Sequence, residues 1–397
     1  MRFQKWEGLD WDFSDYSSSH YPLEMSSLHW YPAAFIPQIP SIFIQELSKA
    51  GDIVLDPFMG SGTTLIEAIR QKRKFVGNDI NPFACEIACA KLLALGNFWG
   101  EYADRILCSI TKRIEETAYS TNTQFNISSE TAEWFHEKTL QELVTIYSCI
   151  HDFPNKEDYS VLKFAFTAIL SRCCAQRDHY TYITDGCRPS SEQLNRYIDA
   201  TSMYLDQLRQ IKDAVELFRT QYKRAYGTDL VINTDHVKNQ INNTNSKNLT
   251  FLEDNSVDLI VTSPPYLGMN DYVRSMRLCN LFFPNGLYLD SQSQEIGARW
   301  KRRKKNAYSE FTLDMQLVYG EMARVLKPGK YLCLVIGEGQ GKVNQNHSTI
   351  SDAEVMLKSL GFSKEYEATR NVTFRRIISK KANTYEKIYV YRLGDRE

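Results

Sequence analysis

Several features that would assign a chain to a class at once are missing from these 397 residues. No stretch approaches the roughly 18 consecutive apolar residues of a membrane-spanning helix. The first residues show no basic segment followed by an apolar one, as a secretion signal would. The net charge of −1 excludes a polycation that binds nucleic acid over its whole surface, so any charged binding surface must be local. We therefore expect a cytoplasmic globular protein, long enough for a core plus a substantial insertion.

Cysteine usage gives no sign of a disulfide framework or a metal centre. The nine cysteines are an odd number and form no C-x-x-C pair, which favours reduced thiols. The nearest approach to a zinc-ligand group is Cys173, Cys174, His179 and Cys187. Their spacing fits ordinary, partly buried residues better than a zinc site, so we predict no metal.

A glycine-rich turn follows the first apolar strand pattern, at residues 53–56. Gly60 and Gly62 let the backbone turn sharply and approach a ligand closely. The apolar residues from 65 to 69 then predict a helix, with Thr63 or Thr64 as its N-cap. Taken alone, this strand–turn–helix indicates either a nucleotide-type site or only a tight connection.

A second predicted strand, residues 74–78, leads to Asp79. An acidic residue at that position can accept hydrogen bonds from ribose hydroxyls. The turn is not a phosphate loop, because no lysine follows Gly62. It is not a dinucleotide fingerprint either, because Leu65 stands where a third glycine would be needed.

The most informative segment is Ser263-Pro264-Pro265-Tyr266, directly after the apolar residues 257–262. Proline has no amide hydrogen, so the predicted strand must leave its sheet at this point. Ser263 and the Pro264 carbonyl then lie at the carboxyl edge, where open α/β sheets bind ligands. Two acceptors beside the flat face of Tyr266 suit a planar ring with an exocyclic amino group. This pattern predicts a nucleobase pocket.

Residues 56–64 and 262–266 together resemble the amino-group DNA methyltransferases, which use S-adenosylmethionine to methylate cytosine N4 or adenine N6. Residues 29–37 resemble the family's element that precedes the cofactor strand and covers the methionine end. The resemblance extends over roughly residues 20–96 and 250–340. It implies an α/β, Rossmann-like class I methyltransferase fold, with a mostly parallel seven-stranded sheet and helices on both faces.

The resemblance also implies site residues and partners. The cofactor-binding positions are Tyr31, Asp56, Phe58, Gly60, Gly62, Thr63, Asp79 and Asn81, and the catalytic positions are Ser263, Pro264, Pro265 and Tyr266. A turn that begins with serine is more typical of cytosine-N4 enzymes, so we favour that product over N6-methyladenine. No cysteine follows a proline, which argues against the covalent mechanism of the carbon-5 cytosine enzymes. The implied partners are double-stranded DNA and a cognate restriction endonuclease.

Two other functions remain open at this point. One is an RNA methyltransferase acting on guanine N2, although no recognisable RNA-binding module precedes the core. The other is a non-catalytic DNA-binding subunit on a methylase core, although the motifs are intact.

We predict four regions along the chain. They are an irregular N-terminal segment (1–28), the cofactor-binding half of the core (29–96), a helical insertion (97–227) and the catalytic half (228–397), with an irregular basic loop at 267–306. Within the last part we predict a loop at the asparagine-rich residues 239–248. Towards the C-terminus we predict helices near 311–326 and 352–360, and strands near 331–336, 372–378 and 385–391.

Two basic segments are candidates for DNA contact. The first is the run Arg299, Trp300, Lys301, Arg302, Arg303, Lys304 and Lys305, with six bases in seven residues. The second is Arg172, Arg177 and Arg188 around the aromatic residues 178–182, where packing of the insertion is an equal alternative. Asp271 and Tyr272, just past the catalytic turn, either line the base pocket or begin a surface helix.

Overall fold

A single mixed sheet organises the computed structural model, which describes residues 3–13, 24–34, 36–118, 128–153, 155–176, 183, 186–338, 347–372 and 384–395. Its strands are β1 (Ile53–Asp56), β2 (Lys74–Asn78), β3 (Ile241–Asn242), β4 (Val257–Thr262), β5 (Leu326–Gly337), β6 (Phe362–Val372) and β7 (Thr384–Leu393). Among the described residues the sheet has seven strands in the order β3-β2-β1-β4-β5-β7-β6. Only β7 runs antiparallel to its neighbours. The predicted Rossmann-like class I fold is confirmed.

Helices cover both faces of this sheet. The helices of the described residues are α1 (Gln38–Leu47), α2 (Thr63–Arg70), α3 (Pro82–Asn97), α4 (Gly100–Ala118), α5 (Ser129–Ala132), α6 (Glu137–His151), α7 (Lys156–Cys173), α8 (Ser191–Leu194), α9 (Ala200–Tyr226), α10 (Thr234–Asn239), α11 (Tyr272–Ser275), α12 (Arg277–Phe282), α13 (Tyr288–Gln294), α14 (Ala307–Val325) and α15 (Thr349–Ser359). Successive strand residues point to opposite faces. Val54 and Leu259 accordingly join one apolar cluster, and Leu55 and Ile260 join the other.

The central strand β4 positions the catalytic turn. All six of its residues are buried, as expected for a strand covered on both faces between parallel neighbours. Its carboxyl end lies beside that of β1, and the Thr262 hydroxyl donates a 2.7 Å hydrogen bond to Asp56 Oδ1. The two motifs, about two hundred residues apart in sequence, are therefore adjacent in space.

The described residues of the region 97–227 are mostly helical, as their periodicity predicts. Helix α7 packs on α3 of the core, and α9 packs on α7. The buried His29 ring stacks on Phe164, and its Nε2 lies 3.2 Å from the Thr167 hydroxyl. The insertion thus packs directly against the segment before β1. The division into four regions itself stays a prediction.

The loop prediction for residues 239–248 is wrong at Ile241 and Asn242, which form edge strand β3 against β2. The short strand is held by the Asn78 side chain, which bonds the backbone of Thr244 on both its N–H and its C=O. Because this support comes from a residue far away in the sequence, the strand shows no apolar alternation by which it could be predicted.

The prediction of an irregular loop at 267–306 is also wrong, because α11, α12, α13 and a 3₁₀ helix (Arg299–Arg303) fill much of it. These helices have four to seven residues, too few to display a clear apolar period.

The strand predicted at 372–378 starts earlier. β6 spans Phe362–Val372, and residues 373–383 lie outside the described ones. The sequence did not predict this strand because β6 is an edge strand with many exposed residues and is therefore mostly polar.

The described residues of the N-terminal segment are largely irregular but firmly packed. After a 3₁₀ turn (Gln4–Trp6), Trp6 and Trp11 are buried against Phe43 and Tyr366. The Trp11 indole N–H donates to the Tyr366 hydroxyl at 2.8 Å. Residues 1–2 and 14–23 are outside the described part.

Candidate cofactor and base site

The glycine-rich turn after β1 requires its glycines. Gly60 and Gly62 have φ of 49° and 82°, in the left-handed region that favours glycine. A Cβ on Gly60 would stand 2.9 Å from Tyr31 Cε1, and one on Gly62 would stand 2.9 Å from Ala88 Cβ. The turn is therefore pressed between the segment before α1 on one side and α3 on the other.

The prediction that Thr63 or Thr64 caps α2 is wrong. Gly62 is the N-cap residue, and no side chain caps the helix. The Thr64 hydroxyl instead donates a 2.7 Å hydrogen bond to Asp56 Oδ2. This buried carboxylate needs donors, and it also accepts from Thr262 and from the Phe58 N–H. Its burial raises the pKa of Asp56 to about 6.

Asp79, at the end of β2, holds the glycine turn in place. Its Oδ2 accepts the Gly60 N–H at 2.9 Å, and its Oδ1 accepts the Asn81 N–H at 2.8 Å. An ionised carboxylate has about four acceptor positions, so acceptor capacity remains on the side that lines the cavity. Burial raises the pKa of Asp79 to about 6, against the effect of these two hydrogen bonds.

Asn81 organises the surroundings of the turn. Its side chain accepts from the Phe83 N–H as the N-cap of α3, and its amide donates to Tyr272 O at 3.1 Å and towards the Tyr31 hydroxyl at 3.4 Å. Asn81 is fully buried and contributes no atoms to the cavity wall. Its predicted direct contact with a cofactor stays a prediction.

The catalytic turn after β4 presents its side chains to the same cavity. Ser263 Oγ lies 3.2 Å from the Tyr266 hydroxyl. The Tyr266 ring packs on the backbone of Gly337, where a Cβ would stand 2.8 Å from its Cε2. Burial and the nearby Glu386 carboxylate raise the pKa of Tyr266 well above its ordinary value, so its hydroxyl keeps its proton.

One cavity of about 580 Å³ joins the two motifs. This volume lies within the usual range for small-molecule sites. The predicted residues that line it are Tyr31, Asp56, Phe58, Gly60, Thr63, Asp79, Ser263, Pro265 and Tyr266. Gly62 and Pro264 belong to the two turns but are not among the residues that line this cavity. The structure thus brings the predicted cofactor and catalytic residues together.

Sequence reasoning misses several cavity residues, of which Glu295 is the most unusual. It follows α13, is only 2% exposed, and accepts the Tyr272 N–H at 2.6 Å and the Val273 N–H at 3.3 Å. Burial, with Asp271 and Asp79 nearby, raises the pKa of Glu295 to about 8. A lone glutamate in an irregular sequence gives no signal of this position.

Two further cavity residues come from the C-terminal strands. Arg370 on β6 and Glu386 on β7 are paired in register, with Arg370 Nε 3.7 Å from Glu386 Oε2. Burial raises the pKa of Glu386, although Arg370 opposes this shift. Asn245 and Ser246, after β3, also line the cavity and were not predicted.

The basic run 299–305 is anchored beside the cavity. The Arg299 N–H donates to Asn270 O, and the Trp300 N–H donates to Asp271 Oδ1, both at 2.9 Å. Asp271 therefore orients this run, and its side chain does not cap α11. Tyr272, by contrast, does line the cavity.

The side chains of the run point in different directions. The half-buried Lys301 donates a 2.6 Å hydrogen bond to Glu295 O, and burial lowers its pKa. Lys304 lies 3.4 Å from Glu310. Arg303 and Lys305 are exposed, and Trp300 keeps 37% of its surface exposed.

The second basic segment packs within the insertion. Arg172 donates to Gln207, and Arg188 pairs with Glu130 and Glu133 while its guanidinium lies 4.5 Å from the Trp134 ring centre. These contacts favour the packing alternative. Arg177 and residues 178–182 lie outside the described residues.

Neither metal centres nor membrane helices are found in the described part of the chain. It holds no group of three or more His, Cys, Asp or Glu side chains placed to bind a metal ion, although His179 is not among the described residues. In the same part, no helix is both long enough and apolar enough to span a membrane.

Comparisons with known proteins show what this chain is similar to. The N6/N4 methyltransferase family model, described as DNA methylase, matches residues 3–90. The Type II methyltransferase M.MjaII of Methanocaldococcus jannaschii is 24% identical, over 83% of this chain and 75% of that protein. The Type II methyltransferase M.MvaI of Kocuria varians is 26% identical, over 60% of this chain and 52% of that protein. A solved SAM-dependent methyltransferase of Methanosarcina mazei is 11% identical, with a TM-score of 0.35 over 91% of this chain and all of that one.

Proposed function

We propose that this chain, which belongs to the amino-group DNA methyltransferase family and uses S-adenosylmethionine as its cofactor, methylates N4 of a cytosine flipped out of double-stranded DNA. A single observation carries the proposal. The glycine turn with Asp79 and the turn Ser263–Tyr266 line one continuous cavity. A methyl donor held at the first turn and a base held at the second would share that space.

The first end of the cavity fits S-adenosylmethionine. Asp79 keeps acceptor capacity for the two ribose hydroxyls after bonding Gly60 and Asn81. The uncapped N-terminus of α2 leaves its first N–H groups for the carboxylate of the methionine end. Asp79 and Glu295 provide negative charge for a cationic ligand once they are ionised.

The second end suits a planar base with an amino group. When bound, the cofactor would supply the methyl group as a sulfonium carbon open to attack by the amino nitrogen, with the neutral thioether as leaving group. The chain's own residues prepare the nitrogen. Ser263 Oγ and the Pro264 carbonyl accept the two amino hydrogens, which draws the nitrogen lone pair out of ring conjugation. Tyr266 fixes the plane of the ring, and the rate gain comes from positioning and electrostatics.

The base must leave the duplex to reach this cavity. Extrusion costs a few kcal/mol, and stacking on Tyr266 contributes about 1–3 kcal/mol in return. We place the DNA backbone along the basic run beside the cavity, at Arg303 and Lys305, with Trp300 available for stacking. Lys301 is excluded from this role by its bond to Glu295 O.

Serine as the first residue of the catalytic turn favours cytosine N4 over adenine N6. The Type II names of the relatives support a restriction–modification setting with a cognate endonuclease. Intact motifs argue against a purely non-catalytic DNA-binding role, and the matching family model, described as DNA methylase, favours DNA over the guanine N2 of RNA.

The deciding experiment is analysis of modified nucleosides. Duplex DNA treated with the protein and S-adenosylmethionine is digested, and the nucleosides are separated by mass spectrometry. We expect N4-methylcytosine. N6-methyladenine would overturn the choice of base, and methylated RNA beside unmodified DNA would overturn the substrate.

Two variants test the mechanism. Ser263→Ala should lower turnover far more than cofactor affinity, because the hydroxyl acts on transition-state geometry. Ser359→Ala, at the exposed end of α15, is the matched control and should retain full turnover. Full turnover of Ser263→Ala would show that Ser263 has no catalytic role.

A further inference from the structure

The Tyr266 hydroxyl has three oxygen neighbours, which is unusual for a residue expected only to stack on a base. It lies 3.2 Å from Ser263 Oγ, 3.0 Å from Glu386 Oε1 and 3.3 Å from Val335 O. The chain Ser263–Tyr266–Glu386 runs from the catalytic turn to β7, and all three residues line the cavity.

The chemistry of these groups sets the direction of the hydrogen bonds. A carbonyl and an ionised carboxylate only accept, so the single Tyr266 proton goes to Glu386 or to Val335 O. The contact between Ser263 and Tyr266 must then be donated by Ser263. The Ser263 hydrogen is thereby turned towards Tyr266, and its lone pairs are left for another donor.

The direction of this hydrogen bond decides whether the Ser263 hydroxyl can act as an acceptor for the base. A hydroxyl is both donor and acceptor, and a free one can rotate its hydrogen towards the amino group of the base. An acceptor held in one orientation stabilises the transition state without reorganising. The Tyr266 hydroxyl supplies that orientation, and Glu386 in turn orients the Tyr266 hydroxyl.

We propose that Ser263, Tyr266 and Glu386 form a hydrogen-bonded relay, which holds Ser263 Oγ as an acceptor and carries the proton released by the methylated amino group to Glu386. The inference rests on the proposed function and adds two positioning residues, Glu386 and the hydroxyl of Tyr266. It gives the serine-type turn a route for the proton.

The proton passes along the relay in three transfers. One N–H bond of the methylated amino group breaks, and its electron pair stays on the nitrogen. Ser263 Oγ takes this proton while its own proton passes to the Tyr266 oxygen, and the Tyr266 proton passes to Glu386. The carboxylate ends neutral and then releases the proton to water, to which 19% of its side chain is exposed.

The surroundings of Glu386 suit this role. Arg370 on the neighbouring strand β6 faces it with positive charge, and the hydroxyls of Tyr266 and Tyr272 face it from the cavity. Burial raises the pKa of Glu386, which makes it a better base than an exposed carboxylate. On the other side, Gly337 holds the Tyr266 ring against β5 and so keeps its hydroxyl in reach.

The first test measures single-turnover methylation of duplex DNA by Tyr266→Phe and Glu386→Gln. Phenylalanine keeps the ring face and removes the hydroxyl, so the rate should fall by about 10²-fold while cofactor affinity stays unchanged. Tyr391→Phe and Glu367→Gln are the matched controls. Among the described residues the buried Tyr391 hydroxyl has no hydrogen-bond partner, and Glu367 makes exposed ion pairs on β6.

Non-additivity separates a relay from a structural role. Once Ser263→Ala has broken the relay, Glu386→Gln should have little further effect on the rate. In the wild type the rate should fall as the pH is lowered through the Glu386 pKa, and Glu386→Gln should lose this limb. The relay would be overturned if the rate loss of the double variant equalled the product of the two single losses. It would also be overturned if both single variants kept the wild-type rate.

A second measurement does not depend on catalysis. With fluorotyrosine incorporated, the ¹⁹F signal assigned to position 266 should shift in Glu386→Gln and in Ser263→Ala but not in Glu367→Gln. An unmoved signal would refute the hydrogen-bond chain even if the wild type methylates DNA. A shifting signal in a protein that methylates no DNA would keep the chain of hydrogen bonds but refute both its proton transfer and the proposed function.

Discussion

The glycine turn allows a comparison in which one methyl group is added at two positions of different surroundings. Gly62 and Gly227 both have positive φ, 82° and 67°, and each flanks a helix. A Cβ on Gly62 would stand 2.9 Å from Ala88 Cβ and 3.3 Å from Ala88 Cα, whereas a Cβ on Gly227 would have no heavy atom within 4 Å. Alanine at the two positions therefore separates backbone strain from crowding.

The magnitudes follow from these two causes. A left-handed conformation costs an alanine about 1–2 kcal/mol, and an added methyl in a packed site costs about 1–3 kcal/mol. Gly227→Ala should lose only the first amount and Gly62→Ala both. Stiffening of the unfolded chain, worth about 0.4–1 kcal/mol, offsets both losses equally. We thus expect Gly62→Ala to be less stable than Gly227→Ala by about 1–3 kcal/mol.

Cofactor binding should respond at Gly62 alone. Relief of the contact with Ala88 must move the turn, because the neighbouring atoms belong to the backbone of α3 as well as to a side chain. A loss of about 1.4 kcal/mol corresponds to tenfold weaker binding. We expect at least that loss for S-adenosylmethionine in Gly62→Ala and wild-type affinity in Gly227→Ala. Urea unfolding and titration calorimetry measure the two effects, and equal stability losses with intact affinity would refute the reasoning.

Three further predictions concern charge. Asp79→Asn should weaken cofactor binding by about 10- to 100-fold, since a hydrogen bond to a charged group contributes about 1.5–3 kcal/mol; unchanged calorimetric affinity would remove Asp79 from the ribose site. Affinity should also fall as the pH drops through about 6, the raised pKa of Asp79, because the ionised carboxylate is the better acceptor. The folded-state pKa of Glu295, about 8, lies above its ordinary value of 4.5, so the folded chain binds this proton more tightly than the unfolded chain. The free energy of unfolding should therefore fall as the pH rises from 4.5 to 8. Glu295→Gln should reduce this pH dependence, measured by urea unfolding. Arg303→Gln should lower the salt dependence of DNA binding by about one unit of slope, whereas Lys301→Gln should leave it unchanged.

The local elements of the site could be predicted from sequence because their causes are local. Gly60 and Gly62 are required by the backbone of their own turn, and two prolines after an apolar strand end it wherever it lies. The acidic residue after β2 follows from the same strand–turn–helix unit. The fold class also followed, since the family resemblance carried by the two motifs implies one mostly parallel seven-stranded sheet.

The predicted cap of α2 failed because a tertiary contact took its place. Thr64 has the residue type of an N-cap, but it lies inside α2 after the N-cap Gly62, and its hydroxyl bonds the buried Asp56 carboxylate. In the sequence Lys301 is likewise one of six basic residues in a run, but in the structure its ammonium group donates a hydrogen bond to the Glu295 carbonyl. Sequence alone contains no record of either partner.

By itself, then, the sequence determined the two turns of the cavity and the chemistry they bring. Only the tertiary structure decided which other groups face them. Glu386 reaches Tyr266 because β7 runs antiparallel beside β5, and Arg370 reaches Glu386 through the register of β6 on β7. Strand order and register depend on pairings between residues far apart in the chain, so no local pattern of residues encodes them.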